Sequence, residues 1–126
     1  MPPIGSPYAY SRSNVRDSVP SRAGVYWLWS YGELVRIGQS TDLQRRLLEY
    51  APKSPNKFRY QTVSQYFTRR SEITRPPLKS VETLLNKMEH TEFEWYKRKE
   101  GHLPPWNKRD KQYDVGVFEA LLSRFL

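Results

Sequence analysis

The chain has 126 residues, which suffices for one compact domain with one hydrophobic core and excludes two domains of ordinary size. It carries 21 lysines and arginines against 13 acidic residues, and the net charge of +8 favours a polyanionic partner. The sequence contains no cysteine, which excludes a disulfide framework and thiolate zinc sites, so a bound metal would be held mainly by oxygen ligands.

Membrane insertion and secretion are not expected from this sequence. No apolar run approaches the ~20 residues that a membrane span needs, and the N-terminus lacks the basic and then apolar layout of a signal peptide. We therefore expect a soluble intracellular protein, cytoplasmic or nucleoid-associated, with no membrane partner. Positive charge alone does not separate DNA from RNA as the polyanion.

The first part of the chain differs in composition from the rest. Residues 1–20 are rich in proline and serine, which predicts an extended N-terminal arm with one helical turn near residues 14–17. Residues 21–126 are then expected to form the single domain.

A β-hairpin and a helix are predicted next. From Gly24 the residues become β-branched and aromatic, and we expect a strand, a turn at residues 30–33 and a return strand that ends at Gly38. Ser40 or Thr41 can cap the helix that follows, because the apolar positions after them recur at i, i+4 and i+7.

The remaining sequence predicts one more strand and two more helices. Residues 58–67 alternate loosely between polar and apolar, as in a third strand or a strand with a bulge. Residues 71–77 contain a proline pair and are expected to form a loop, and helices are expected over residues 79–99 and 115–125. The predicted fold class is α/β, of the α+β type, with a small three-stranded antiparallel sheet flanked by helices.

The long predicted helix carries an apolar stripe that a carboxylate interrupts. Its apolar members are Val81, Leu84, Leu85, Met88, Trp95 and Tyr96. Glu92 occupies the position that continues the stripe between Met88 and Trp95. Since burying a lone carboxylate costs several kcal/mol, Glu92 is expected to pair with an arginine or a metal ion. The alternative is a glutamate at the edge of the stripe whose carboxylate reaches water.

Two further positions are candidates for binding phosphate. Arg46 and Tyr50 lie four residues apart on the first predicted helix, so they share a face and can contact one phosphate together, unless that face is simply solvated. Asn107 follows the rigid Pro104-Pro105-Trp106 run, which fixes its amide. That amide can donate to a phosphate or support a loop, and an ordinary turn residue is the alternative.

The order and spacing of these residues resemble the GIY-YIG nuclease family. Gly24-Val25-Tyr26 and Arg36-Ile37-Gly38 stand where that family has the tripeptides at the two ends of its hairpin, and the resemblance covers residues 20–108. The matching site positions are Tyr26 for the tyrosine of the first tripeptide, Arg46 for the helix arginine, Tyr50 for the aromatic residue or histidine one turn later, Glu92 for the metal-binding glutamate and Asn107 for the late asparagine.

The resemblance implies a DNA endonuclease that depends on Mg²⁺ or Mn²⁺ and hydrolyses phosphodiester bonds. It implies that Glu92 holds the metal ion and that Tyr26 orients or deprotonates the attacking water. Arg46 would then stabilise the charge that develops on the phosphate. A tyrosine that acts as a base needs a nearby cation to stabilise its phenolate, and Arg46 or the metal can supply it.

Arg36 departs from the family pattern, because it stands where the family has its second tyrosine, and Gln39 stands where a lysine is frequent. Two alternatives to the endonuclease therefore remain open: a catalytically inactive DNA-binding module of the same fold, and a basic RNA-binding or assembly protein. The expected DNA-binding residues are Arg36, Gln39, Arg45, Lys53, Lys97 and Lys108. Because the domain is small, sequence specificity would need a homodimer, the arm or a partner protein.

Overall fold

A computed structural model of the chain describes residues 6–69 and 80–107. In chain order its elements are β1 (Tyr8–Ala9), α1 (Arg12–Ser18), β2 (Gly24–Ser30), β3 (Glu33–Ser40), α2 (Leu43–Leu48), β4 (Lys57–Thr62), α3 (Val63–Arg69) and α4 (Val81–Glu100). Short 3-10 turns cover Ala51–Lys53 and Pro105–Asn107. The predicted loop at residues 71–77, the predicted helix at 115–125 and Lys108 lie outside the described residues.

The sheet is antiparallel and has the strand order β1-β4-β2-β3. The mixed α/β class is confirmed, but the predicted count of three strands is wrong, because the described part of the chain contributes four. The additional strand is β1, in which Tyr8 pairs with Phe58 and Ala9 with Lys57. Two residues are too few to show the alternation that marks a strand in a sequence.

The predicted hairpin is confirmed as β2 and β3. Tyr31 and Gly32 connect the strands with φ angles of 52° and 80°, positive at both positions as a type I′ turn requires. The return strand does not end at Gly38, because Gln39 and Ser40 continue the ladder opposite β2. A glycine inside a strand marks a close approach of another group, and Gly38 has this role here.

Helix α2 begins one residue later than the sequence predicts. The side chain of Asp42 accepts a hydrogen bond from the backbone N–H of Arg45 and is the N-cap, whereas Ser40 and Thr41 are not. The hydroxyl of Ser40 instead bonds the backbone of Asp42 and shapes the turn before the helix. The helix ends before Pro52, as predicted.

The segment predicted as a strand over residues 58–67 is half strand and half helix. Strand β4 ends at Thr62, whose hydroxyl accepts from the Gln65 N–H while the Gln65 side chain accepts from the Thr62 N–H. This reciprocal arrangement is a capping box, and it starts α3. Helix α4 agrees with the prediction to within two residues at each end and stops at Gly101.

Helices cover both faces of the sheet, and alternation along β2 assigns each side chain to one of them. Tyr26 and Leu28 point to the face covered by α1 and α2, hereafter the α2 face. Val25 and Trp27 point to the face covered by α3 and α4, hereafter the α4 face. The described part of the predicted arm, which was residues 1–20, contributes β1 and α1, and α1 adds the fully buried Val15 to the core of the α2 face. Within the described ranges, no helix has the length and apolar character needed to cross a bilayer.

Candidate active site

Two phenols and one guanidinium meet on the α2 face. The hydroxyl of Tyr26, on β2, lies 2.8 Å from the hydroxyl of Tyr50, which follows α2. Arg46, on α2, donates from Nε to the Tyr26 hydroxyl and from Nη2 to the Tyr50 hydroxyl, each at 3.3 Å. The structure thus brings together three of the five site residues that the sequence predicts. We refer to Tyr26, Tyr50 and Arg46 as the tyrosine–arginine cluster.

Gly38 is the reason that the Tyr26 ring can lie where it does. A Cβ atom at Gly38 would lie 2.3 Å from both Cζ and Oη of Tyr26, a separation that real Cβ atoms do not show. Gly24, at the start of β2, is equally constrained, because a Cβ there would lie 2.2 Å from the Gln61 carbonyl oxygen. The glycines of both tripeptides therefore allow close approaches that build this site.

The charges in the cluster favour a neutral Tyr50 and a cationic Arg46. Burial, together with the neighbouring Tyr26 phenol, raises the pKa of Tyr50 above its ordinary value, although Arg36 and Arg46 oppose the shift. Burial by itself lowers the pKa of Arg46, but Tyr26, Tyr50 and Glu49 outweigh it, and the net shift is upward. At neutral pH Tyr50 is therefore a hydroxyl donor and Arg46 is a permanent cation.

The members of the cluster differ in exposure, which decides what a ligand meets first. Tyr26 is fully buried and Tyr50 is 5% exposed. The Arg46 side chain is 37% exposed and also pairs with Glu49 at 2.9 Å. A ligand that approaches this face contacts the guanidinium before it reaches either phenol.

Arg36 points to the same face but is buried. Its Nη1 donates to the Trp106 carbonyl oxygen at 3.2 Å, and its guanidinium carbon lies 6.0 Å from the centre of the Tyr50 ring. Since only 1% of Arg36 is exposed, its contacts are with the protein. Arg36 joins the turn at Pro105–Asn107 to the tyrosine–arginine cluster.

Asn107 is buried against the outer edge of β3. Its Oδ1 accepts from the backbone N–H of Ile37 at 2.9 Å, and its Nδ2 donates to the backbone carbonyl of Ile37 at 2.8 Å. The side-chain amide thus makes the two backbone hydrogen bonds that a residue of a neighbouring strand would otherwise make. The Asn107 side chain therefore supports the strand that carries Arg36 and Gly38.

Glu92 lies under α4, on the other side of the sheet from Tyr26. It is 1% exposed, and its Oε2 accepts from the Tyr66 hydroxyl at 2.9 Å. Tyr66 packs with Val25 and Trp27 on the α4 face. The structure therefore places Glu92 within the helix stripe, as predicted, and gives its carboxylate a phenol partner from α3.

Other polar side chains lie under α4, on the same face of the sheet as Glu92. Gln39 donates from Nε2 to Oδ1 of Asn86 at 2.7 Å and to Oε1 of Glu89 at 3.1 Å. Gln61 is 2% exposed, and among the described residues neither of its amide atoms has a hydrogen-bond partner. Carboxylate and amide oxygens are the donors that a hard cation prefers.

A magnesium ion fits this chemistry, since Mg²⁺ is commonly held by one or two carboxylates, with water and substrate phosphate as the other ligands. Glu92 would hold it, and Glu89 lies one turn before Glu92 on the same buried side of α4. Within residues 6–69 and 80–107 no group of three histidine, cysteine, aspartate or glutamate side chains is arranged to hold a metal. A site here would thus depend on few protein ligands.

The tyrosine–arginine cluster and the polar side chains under α4 lie at neighbouring positions along β2 and β3, on opposite faces of the sheet. Tyr26 pairs with Gly38, and the next pair toward the start of β2 is Val25 with Gln39. Because β3 is the edge strand, both groups lie close to the same edge of the sheet, which Asn107 covers at Ile37.

The other predicted DNA-binding residues occupy different surroundings. The Gln39 side chain donates hydrogen bonds to Asn86 and Glu89 on α4. The Arg45 side chain is 64% exposed beside Asp42 and Glu49, and exposed Lys53 lies over the Trp106 ring at 5.4 Å. Lys97 is exposed in the last turn of α4.

Comparison with known proteins does not assign the chain to a family. No protein-family model matches it, and no curated protein matches it either. The functional argument therefore depends on the residues of the chain and their geometry.

Sequence reasoning missed the role of Tyr66 as the partner of Glu92 and that of Gln39 as a link to α4. The capping box at Thr62 and Gln65 was the available signal for Tyr66, because it places Tyr66 in the first turn of a helix. No sequence signal points to the contacts of Gln39, which depend on how α4 packs on the sheet.

Proposed function

We propose that this protein is a metal-dependent DNA endonuclease of the GIY-YIG type, which hydrolyses phosphodiester bonds. The observation that carries the proposal is the tyrosine–arginine cluster, in which one guanidinium donates to both phenols. A planar fork of donors suits phosphate oxygens, and the net charge of +8 suits a polyanionic substrate.

The residues of the cluster have separate roles in this proposal. Arg46, the exposed member, binds the scissile phosphate and stabilises the charge that develops on it. Tyr26 orients the attacking water or accepts its proton. The neutral Tyr50 hydroxyl holds the Tyr26 oxygen in position. The water oxygen bonds to phosphorus as the bond to the leaving oxygen breaks, and the leaving oxygen takes up a proton.

Glu92 would hold the magnesium or manganese ion. When bound, the metal would supply Lewis-acid stabilisation of phosphate charge. Tyr66 orients the Glu92 carboxylate through its 2.9 Å hydrogen bond, as the outer partners of metal ligands commonly do.

Nicking of supercoiled plasmid tests the proposal, with magnesium, with manganese and with chelator. Arg46→Ala is the informative variant, and Arg45→Ala is its matched control, because Arg45 is the neighbouring arginine but takes no part in the cluster. At saturating DNA, where weaker binding by Arg45→Ala does not limit the rate, we expect metal-dependent nicking by the wild type and by Arg45→Ala, and its loss in Arg46→Ala. Nicking that survives chelation, or that Arg46→Ala leaves intact, would overturn the proposal.

One observation favours a second function, an inactive DNA-binding module of the same fold. Arg36 is buried at a position where the family that the chain resembles has a tyrosine, and Tyr26 is itself fully buried. This alternative predicts salt-sensitive DNA binding without nicking under any metal condition.

A further inference from the structure

The most exposed large hydrophobic side chain among the described residues belongs to Tyr31, at the tip of the β2–β3 hairpin. Tyr31 is 94% exposed. It lies five residues from Tyr26 along the strand, about 17 Å at the usual rise of an extended chain. The tip is therefore separate from the tyrosine–arginine cluster.

The fold does not require a tyrosine at this position. Its φ of 52° is in the left-handed region, which asparagine and glycine adopt more readily than an aromatic residue. The first position of a type I′ turn prefers asparagine for this reason. The ring lies almost entirely in solvent, so it is available for a contact outside the chain.

The backbone holds the tip in place. The N–H of Tyr31 donates to Oδ1 of Asn56 at 2.8 Å, and the N–H of Asn56 donates to the Trp29 carbonyl at 2.9 Å. The loop before β4 is thus attached to the hairpin next to the turn. A ring presented from a braced backbone loses little freedom when it binds a flat partner.

The net charge of +8 favours a nucleic acid as the partner of the tip. Lys57 is exposed and pairs with Trp29 at the end of the ladder, two residues before Tyr31. Glu33, also exposed, is the acidic residue at the turn. One lysine therefore lies beside the turn that carries the aromatic ring.

We propose that Tyr31 stacks on an unpaired nucleobase, so that the enzyme prefers DNA with a bulge or junction to intact duplex. The proposal rests on the proposed function, since it takes DNA as the substrate. A tyrosine ring stacks on any exposed base, whereas the bases of an intact duplex are covered by their neighbours. Lys57 contacts a phosphate beside that base.

The test measures binding in chelator, so that its result does not depend on cleavage. The probes are a fluorescein-labelled duplex and the same duplex with a three-nucleotide bulge that contains 2-aminopurine. The variants are Tyr31→Asn, which suits a type I′ turn, and Tyr31→Phe, which keeps the ring. Thermal unfolding of each variant verifies that the fold is unchanged.

We expect Tyr31→Asn to bind the bulged DNA about 5- to 100-fold more weakly than the wild type does and to lose the quenching of 2-aminopurine. Tyr31→Phe is expected to match the wild type, and all three proteins are expected to bind the intact duplex equally. Equal binding of bulged DNA by Tyr31→Asn and the wild type, or equal losses on both DNAs, would overturn the inference alone. A wild type that binds no DNA would overturn the proposed function and the inference together.

Discussion

The hydroxyl oxygen of Tyr26 lies 2.8 Å from that of Tyr50, and a single proton bridges them. Arg46 donates to both oxygens, so its charge stabilises whichever phenol is the acceptor. Because Tyr50 is held neutral by burial, its hydroxyl can donate to Tyr26. The Tyr26 oxygen then accepts two hydrogen bonds, which stabilise the phenolate, the form that could take up a proton from water.

Removal of the Tyr26 hydroxyl tests this role. We expect Tyr26→Phe to reduce nicking at least 100-fold, the usual scale for loss of a proton-transfer group. Stability should fall by about 1 kcal/mol, because the buried ring remains and only its hydrogen bonds are lost. Plasmid nicking and thermal unfolding measure the two effects.

Tyr60→Phe is the matched control for this variant. Tyr60 pairs with Tyr26 across the sheet, and its hydroxyl donates to the Ser18 carbonyl outside the cluster. It should lose a similar amount of stability and keep full nicking. Equal losses of nicking in both variants would show that Tyr26 contributes only to the fold.

A variant that removes only the charge of Glu92 tests metal binding separately from DNA binding. Glu92→Gln keeps the shape and the acceptor for Tyr66, but it removes the carboxylate that a hard cation needs. We expect nicking to disappear while DNA binding stays equal or improves, as measured by gel shift. The side chain of Glu94, also on α4, is 46% exposed, and Glu94→Gln should leave nicking and DNA binding unchanged. Full nicking by Glu92→Gln would refute its assignment.

Gly38 should be coupled to Tyr26 in a double-mutant cycle. We expect Gly38→Ala to destabilise the protein by about 1–3 kcal/mol, because the added methyl group overlaps the Tyr26 ring. In a Tyr26→Ala background the same methyl group has space, so its cost should largely disappear. Urea unfolding of the four proteins measures the coupling. Additive costs would mean that Gly38 is needed for a reason other than the ring.

Asn107 should protect one backbone amide from exchange. Asn107→Ala leaves the N–H and carbonyl of Ile37 without their partner, at a cost of about 1–3 kcal/mol for each buried group that stays unsatisfied. We expect faster hydrogen exchange at Ile37 and lower stability. Unchanged exchange at Ile37 would show that the side chain is not its partner in solution.

Alkaline pH should weaken the fold through Tyr50. Since its pKa is higher in the folded protein than the ordinary 10.0, the unfolded chain loses this proton first. The stability that neutral Tyr50 contributes is therefore complete below about pH 10 and is lost as pH rises above it. Between about pH 9 and pH 11.5, the difference in Tm between the wild type and Tyr50→Phe should narrow. A Tm difference that stays constant over this pH range would contradict the raised pKa of Tyr50 in the folded protein.

The sequence predicts those elements that local chemistry determines. The hairpin follows from β-branched and aromatic residues around a Tyr-Gly turn, and α4 follows from its apolar stripe and from Gly101. Strand β1 was missed because pairing with β4, and not its own sequence, makes it a strand. The helical half of residues 58–67 was missed because the capping box at Thr62 competes with a weak strand pattern.

The sequence predicts only in part which of the candidate site residues lie together. Helical spacing brings Arg46 and Tyr50 together, and register brings Tyr26 to them over Gly38. The positions of Glu92 and Asn107 depend on contacts with Tyr66 and Ile37, many residues distant along the chain. Spacing along one helix carries no information about which face of a sheet the helix covers.

The Asn107 amide also affects how copies of this chain can associate. A bare edge strand offers its N–H and carbonyl groups to any strand of another molecule, which leads to aggregation. At Ile37 those groups are already occupied by Asn107, so β3 cannot be extended there by a second copy. A chain shortened before Asn107 would leave the edge of β3 open at Ile37, beside the strand that carries Arg36 and Gly38, and we expect it to associate with other copies through that edge.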